Sequence, residues 1–159
     1  MSDISTTSTA RQYTDMLIMV TKMARRMHDT VKDEFKRLNV IEINAAQGLL
    51  LFNIGDDEVT AGEVTSRGYY QGVNVSHNLK KLTELSYLDY QQCKIDRRSI
   101  KVRLTEKGQE IRQILGDLFA RHQAELADRE LLGDDEITEI VEALYRIEQY
   151  WHKQIRYAY

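Results

Sequence analysis

Apolar residues recur along this chain at two periods, and the change of period divides it into elements. From Thr9 to Leu38 they fall at Tyr13, Leu17, Val20, Ala24, Met27, Val31, Phe35 and Leu38. Spacings of three and four put one stripe along a single helix. About 30 helical residues span ~45 Å, more than a small domain needs for itself, which predicts that part of the helix docks on a second copy. Asn44–Ile54 is short and strongly apolar, hence central, and opens with Asn44 and Gln47 in a capping box. Gly55-Asp56-Asp57 ends it as a turn. Thr60-Ala61-Gly62-Glu63 is a second capping box, starting a short helix to about Arg67, and Gly68 to Gly72 turns the chain again. Val75, Leu79, Leu82 and Leu85 then mark another helix.

After Leu85 the period becomes two. Tyr87-Leu88-Asp89-Tyr90 and then Ile100, Val102 and Leu104, alternating with Lys101 and Arg103, flank a charged tip at Lys94–Ser99. That pattern predicts a two-stranded hairpin. Thr105 caps a helix bearing Ile111, Ile114, Leu115, Leu118, Phe119, His122 and Leu126 on one face. Gly133-Asp134-Asp135 breaks the pattern and favours a new helix start, which carries Ile137, Ile140, Val141, Leu144, Ile147, Trp151 and Ile155. The prediction is a mainly α chain of six helices with a two-stranded β-wing.

The helix around Leu79 is the informative one. Opposite its apolar side stand Asn74, Ser76, His77, Asn78, Lys80 and Lys81, short polar and cationic groups of the kind that contact base edges and phosphates. Asn74 and Asn78 suit adenine, Lys80 and Lys81 guanine or phosphate, and Ser76 and His77 either. Two short helices joined by a Gly-containing turn make a helix-turn-helix, and the hairpin behind it reads as a wing. At its tip lie Asp96, Arg97 and Arg98. An arginine on a thin hairpin, with Arg98 the first choice and Arg97 able to swap, suits an adjacent narrow minor groove. An ordinary solvated turn is the plainer account of the same residues.

The order helix, hairpin, Asp96-Arg97-Arg98, alternating strand and Leu104-Thr105-Glu106-Lys107-Gly108 resembles the MarR family of winged helix-turn-helix transcriptional regulators, over nearly the whole chain. The family's wing Asp-x-Arg matches Asp96 and Arg98, and its Leu-Thr-x-x-Gly step matches Leu104 to Gly108. Tyr69 to Ser76 also resembles a subgroup linked to cell-wall L,D-transpeptidase expression. The resemblance implies that Asp96 orients the wing arginine by an ion pair. It further implies a small aromatic or phenolic effector between dimer helices and DNA-binding lobe. The lining residues proposed for it, Met16, Met19, Met23 and Met27, form a thioether stripe that equally suits a plain core.

Charge alters this picture only in detail. The chain totals −3, where a basic protein is expected of a DNA binder. Yet Asn74–Leu104 holds seven Lys or Arg against three acids, a local +4. A basic reading head on an acidic body attracts phosphate locally and limits non-specific clinging. Length (159 residues), 42% apolar and 30% charged content fit one globular chain, and the absence of proline suits helices. No apolar run approaches a membrane span, and MSDISTTSTA has no apolar signal core, so a cytoplasmic protein is expected.

Enzyme chemistry finds little support. Adjacent Ser76 and His77 point apart on a helix, and no phosphate loop or zinc-helix motif occurs. His28, His77, His122 and His152 lie on four helices, so no metal or other cofactor is expected. Cys93, the one cysteine, sits beside Lys94. Cationic neighbours favour the thiolate, but with no second cysteine to resolve a disulfide it reads as an incidental strand residue. The expected protein is one chain, 1–159, with dimerisation helices at 1–38 and 109–159 around a winged-helix lobe at 39–108. Dimer contacts would come from Tyr13, Leu17, Leu118, Phe119, Leu144, Ile147, Trp151 and Ile155. As a homodimer it would bind double-stranded DNA at a pseudo-palindromic operator as a ligand-responsive repressor. The rivals are a winged-helix protein-interaction module and a cysteine-based redox-sensing regulator.

Overall fold

Nine elements follow one another in the computed structural model, which describes residues 3–67, 74–92 and 100–155. They are α1 (Asp3–Arg37), α2 (Ala45–Ile54), β1 (Val59–Thr60), α3 (Ala61–Arg67), α4 (Val75–Glu84), β2 (Leu88–Gln92), β3 (Ile100–Leu104), α5 (Glu106–Asp128) and α6 (Asp134–Ile155). Two compact units make up the chain, residues 1–116 and 117–159. No helix among the described residues is long and apolar enough to cross a membrane.

The first unit is built around α2, whose Leu50, Leu51 and Ile54 are fully enclosed. Both capping boxes form: Gln47 N–H donates to Asn44 Oδ1 at 2.9 Å while Asn44 N–H donates to Gln47 Oε1 at 3.1 Å. At α3, Thr60 N–H donates to Glu63 and Glu63 N–H to Thr60 Oγ1. Among the described residues of α1, those buried in this core lie at its C-terminal end, Val31 and Phe35 among them. There α1 and α2 pass so closely that a Cβ at Gly48 would meet the Phe35 ring.

The wing sheet has a third strand that no periodicity marks. Its order is β1-β3-β2, antiparallel throughout, with Val59 opposite Val102 and Leu88 opposite Leu104. Two residues are too few to show alternation, so β1 is set by its partner instead. Val59 is enclosed by the core, and Thr60 serves at once as strand end and helix cap.

Three helix ends use a residue other than glycine in the left-handed region: Asn39, Ser86 and Glu130, with φ of 56°, 63° and 54°. At each, the next N–H reaches back five residues, as Tyr87 does to the Leu82 carbonyl, closing a Schellman turn. In the second unit, Leu118 is buried and Phe119 half-buried, whereas α6 has no buried residue at all.

Candidate nucleic-acid interface

α4 turns one side inward. Val75, Leu79 and Leu82 are buried, while Asn74, Ser76, His77, Lys80 and Lys81 are exposed and Asn78 is half-buried. The spacing of the apolar three enforces this: with one stripe fixed on the core, the polar set has only solvent to face. Asn74 is the helix cap, its Oδ1 accepting from the His77 N–H at 2.9 Å.

Asn78, expected to suit adenine, also makes contacts within the protein. Its Oδ1 accepts from Gln47 Nε2 at 3.0 Å and its Nδ2 donates to the Asn74 carbonyl at 2.9 Å. Both carboxamide atoms therefore have a partner within the protein, and the fully exposed polar residues of this side are Asn74, Ser76, His77, Lys80 and Lys81. Gln47 is the residue that sequence reasoning passed over. The cap box accounts for its Oε1, and the open question of where Nε2 goes was the available signal.

The other end of α4 is clamped by the start of α5. Lys107 Nζ donates to the Leu85 carbonyl at 3.0 Å, and Thr105 Oγ1 donates to the Ser86 carbonyl at 2.7 Å. Lys107 also pairs with Glu42 at 2.7 Å and stands 4.2 Å above the Tyr87 ring, within cation–π range. Tyr87 donates its hydroxyl hydrogen to the same Glu42 at 2.8 Å. The hydrogen bond from Lys107, then that from Tyr87, holds the Glu42 carboxyl below the usual range. Burial, reinforced by Glu42, pushes the Tyr87 phenol up to about 12. α4 is thus tied to α2 at its first turn and to the start of α5 at its last.

Of the wing, the structure gives the strands. Asp89 and Arg103 face each other across β2 and β3 at 3.5 Å, both exposed. Asp96, Arg97, Arg98 and Cys93 lie outside the described residues, as do Tyr69 to Val73. Among the described residues no cluster of three or more His, Cys, Asp or Glu could hold a metal ion. Met16 is half-buried on α1, and Met19, Met23 and Met27 are exposed. Of the residues expected at a dimer contact, Tyr13, Leu144, Trp151 and Ile155 are exposed and Leu17, Phe119 and Ile147 half-buried. Leu118 is already buried in the single chain, which leaves it little surface to offer a partner.

Comparison with known proteins agrees with this architecture. Residues 43–108 match the winged helix DNA-binding domain family. The exopolysaccharide II synthesis transcriptional activator ExpG of Rhizobium meliloti is 32% identical over 149 residues, covering 91% of this chain and 74% of the relative. Among solved structures, AbsC, a MarR family transcriptional regulator from Streptomyces coelicolor, superposes with a TM-score of 0.66 at 16% identity, over 88% of this chain and 94% of that one. FabT of Streptococcus pneumoniae, solved in complex with DNA, gives 0.64 at 19%, over 89% and 99%. The structural likenesses bear on the fold; the sequence relative carries the kinship further. A helix-turn-helix with a sheet-backed wing, a helix presenting Lys80 and Lys81 outward, and a transcriptional activator matched along most of both lengths place this chain in the MarR family of winged helix DNA-binding transcriptional regulators.

Proposed function

We propose that the chain acts as a homodimeric, ligand-responsive repressor that reads a pseudo-palindromic operator with two copies of α4. The exposed, cationic face of α4 over a buried apolar one is the observation that carries this reading. Ser76 and His77 meet base edges, Lys80 and Lys81 meet phosphate or guanine, and Asn74 caps the helix that presents them. The FabT neighbour, solved on DNA, supports the same docking. Two α4 helices related by a two-fold axis would enter successive major grooves about 34 Å apart. At the wing tip Arg98, oriented by Asp96 and backed by Arg97, would reach into the flanking minor groove.

The sign of regulation depends on where the operator lies: a dimer over the promoter represses, one upstream can recruit. The R. meliloti relative is named an activator, so a reporter fused to a bound promoter decides between the two. An effector would have to prefer the form that misfits DNA. The first unit offers a cavity of about 730 Å³ beside the C-terminal end of α1, lined by His28, Lys32, Phe35, Lys36, Ile41 and Ala46 among others. Its volume is right for a small molecule, and its cations suit a phenolate or benzoate.

The experiment is selection of duplexes from a random pool, followed by affinity against salt. Recovery of an inverted repeat, with affinity falling steeply as salt rises, is the expected result. Failure to enrich any duplex would refute the proposal. Arg98→Ala is expected to weaken binding with the dimer intact, and unchanged affinity would remove the wing from the interface. Benzoate is expected to release the selected duplex, and no release by it or by simple phenols would remove the aromatic effector.

A further inference from the structure

Gln47 is 3% exposed and forms the middle of a polar line from the α1–α2 loop into the reading helix. The Asn44 N–H donates to Gln47 Oε1, Gln47 Nε2 to Asn78 Oδ1, and Asn78 Nδ2 to the Asn74 carbonyl, at 3.1, 3.0 and 2.9 Å. A side-chain amide taken alone can be turned end for end with little change of shape. This line cannot. It starts at a backbone N–H, which only donates, and ends at a backbone carbonyl, which only accepts, so every bond between them has a forced direction. Reversing either amide would set like against like, most expensively at the buried Gln47, where water cannot supply the unmade hydrogen bond.

We propose that Gln47 and Asn78 form a strut that sets the roll of α4, and with it the register at which Ser76, His77, Lys80 and Lys81 meet the base pairs. Both are positioning residues, and Asn78 does not read a base. The inference rests on α4 being the reading helix. An asparagine that recognises adenine presents both carboxamide atoms to the base, whereas Asn78 is turned so that each of them already has a partner within the protein. The cap box needs only the oxygen of Gln47, so the nitrogen of this buried side chain serves the contact with α4 alone. Val75, Leu79 and Leu82 already decide which side of α4 turns inward, but apolar contact has no preferred direction. A hydrogen bond does, so the strut narrows the range of roll that the apolar stripe leaves.

The test compares full-length wild type with Gln47→Glu, Asn78→Ala and their double, by binding and sequencing of a randomised duplex pool and by affinity for the best wild-type duplex and a scrambled one. Gln47→Glu keeps the acceptor that Asn44 needs, removes the donor to Asn78 and sets a carboxylate oxygen against Asn78 Oδ1 in its place. Losing one such bond should lower the preference for the best duplex over the scrambled one by about tenfold. The loss should spread across several base positions and be no greater in the double, and the salt slope should stay unchanged because the phosphate contacts remain. Asn78→Asp, which retains the acceptor for Gln47 and loses only the donor to the Asn74 carbonyl of its own helix, should keep more of the wild-type base preference than Asn78→Ala. Asn78→Ala and Asn78→Asp both losing preference at one base pair while Gln47→Glu selects as wild type would make Asn78 a direct reader and overturn the strut. Variants that melt early yet select the wild-type duplex at the wild-type ratio would overturn it too. A wild-type chain that enriches no duplex would instead sink the DNA-reading assignment, and the strut with it.

Discussion

Gly108 stands where the first turn of α5 passes the start of β2, and a Cβ there would run into the Tyr87 carbonyl oxygen and press on the Leu104 side chain. The Leu-Thr-x-x-Gly step, visible in the sequence only as a resemblance, thereby gains a cause. Thr105 caps the helix, its Oγ1 accepting from the Gly108 N–H at 3.1 Å, and glycine lets that turn close on the sheet. Gly108→Ala is expected to destabilise the fold by about 1–3 kcal/mol, as overpacking does, measured by urea unfolding. Beside it, Tyr87 and Glu42 make stability depend on pH in opposite directions. Tyr87 keeps its proton in the folded chain up to about 12, while the unfolded phenol ionises near its ordinary value of 10. Its contribution is whole below the unfolded value and lost as pH rises from there through the folded one. Glu42 is shifted down, so its contribution is present above the ordinary carboxylate range and lost as pH falls through its lowered value. Tyr87→Phe should therefore flatten the alkaline decline in stability and, by removing one of the two hydrogen bonds that lower Glu42, weaken the acid limb as well; an unchanged alkaline limb would detach the phenol from it.

Element by element, legibility in the sequence follows the reach of the forces involved. The six helices and the two main wing strands were readable because burying a face imposes a period on the residues themselves. Both capping boxes were readable because their partners lie three residues apart. β1 was not, since Val59 and Thr60 become a strand only through Val102 and Lys101, some forty residues away. The Gln47–Asn78 contact, 31 residues apart, was hidden likewise. The end of α5 was obscured because Glu130 rather than a glycine takes the left-handed position. Glu130→Gly should stabilise the chain by up to about 1 kcal/mol, the cost of holding a side chain in that region, as seen in thermal melting. On α4 the exposed lysines can be tested directly. Lys80→Ala and Lys81→Ala, where they meet phosphate, should each weaken binding to all duplexes alike and lower the salt slope by about one. A loss confined to one base position would mark that lysine as a base reader instead.

At the scale of the whole molecule, the strongest demand for a partner comes from α6. A helix of 22 residues with no buried side chain has little but its own hydrogen bonds to hold it, and isolated helices are marginal in water. Yet it bears Ile140, Val141, Leu144, Trp151 and Ile155 at helical spacing, all exposed, Ile155 to 60%. Along α1 the same holds for Tyr13, Val20, Met23 and Met27, Met23 to 64%. Single exposed apolar residues are ordinary, but contiguous stripes mark an interface, and the cheapest partner for a stripe on both terminal helices is a second copy of the chain. The expected state is therefore a dimer, with a sedimentation mass twice that of one chain. Val141→Glu combined with Leu144→Glu should yield monomers, with partial loss of helical circular dichroism as α6 loses its cover. The same variant should bind the selected inverted repeat far more weakly than wild type, because two half-sites held by one rigid dimer are bound in effect together. Its affinity for a single half-site should be nearly unchanged, since α4 and its two clamps lie in the other unit. A wild-type chain that sediments as a monomer, or a double variant that still dimerises, would place the apolar stripes in some other contact and leave the inverted repeat without a two-fold reader.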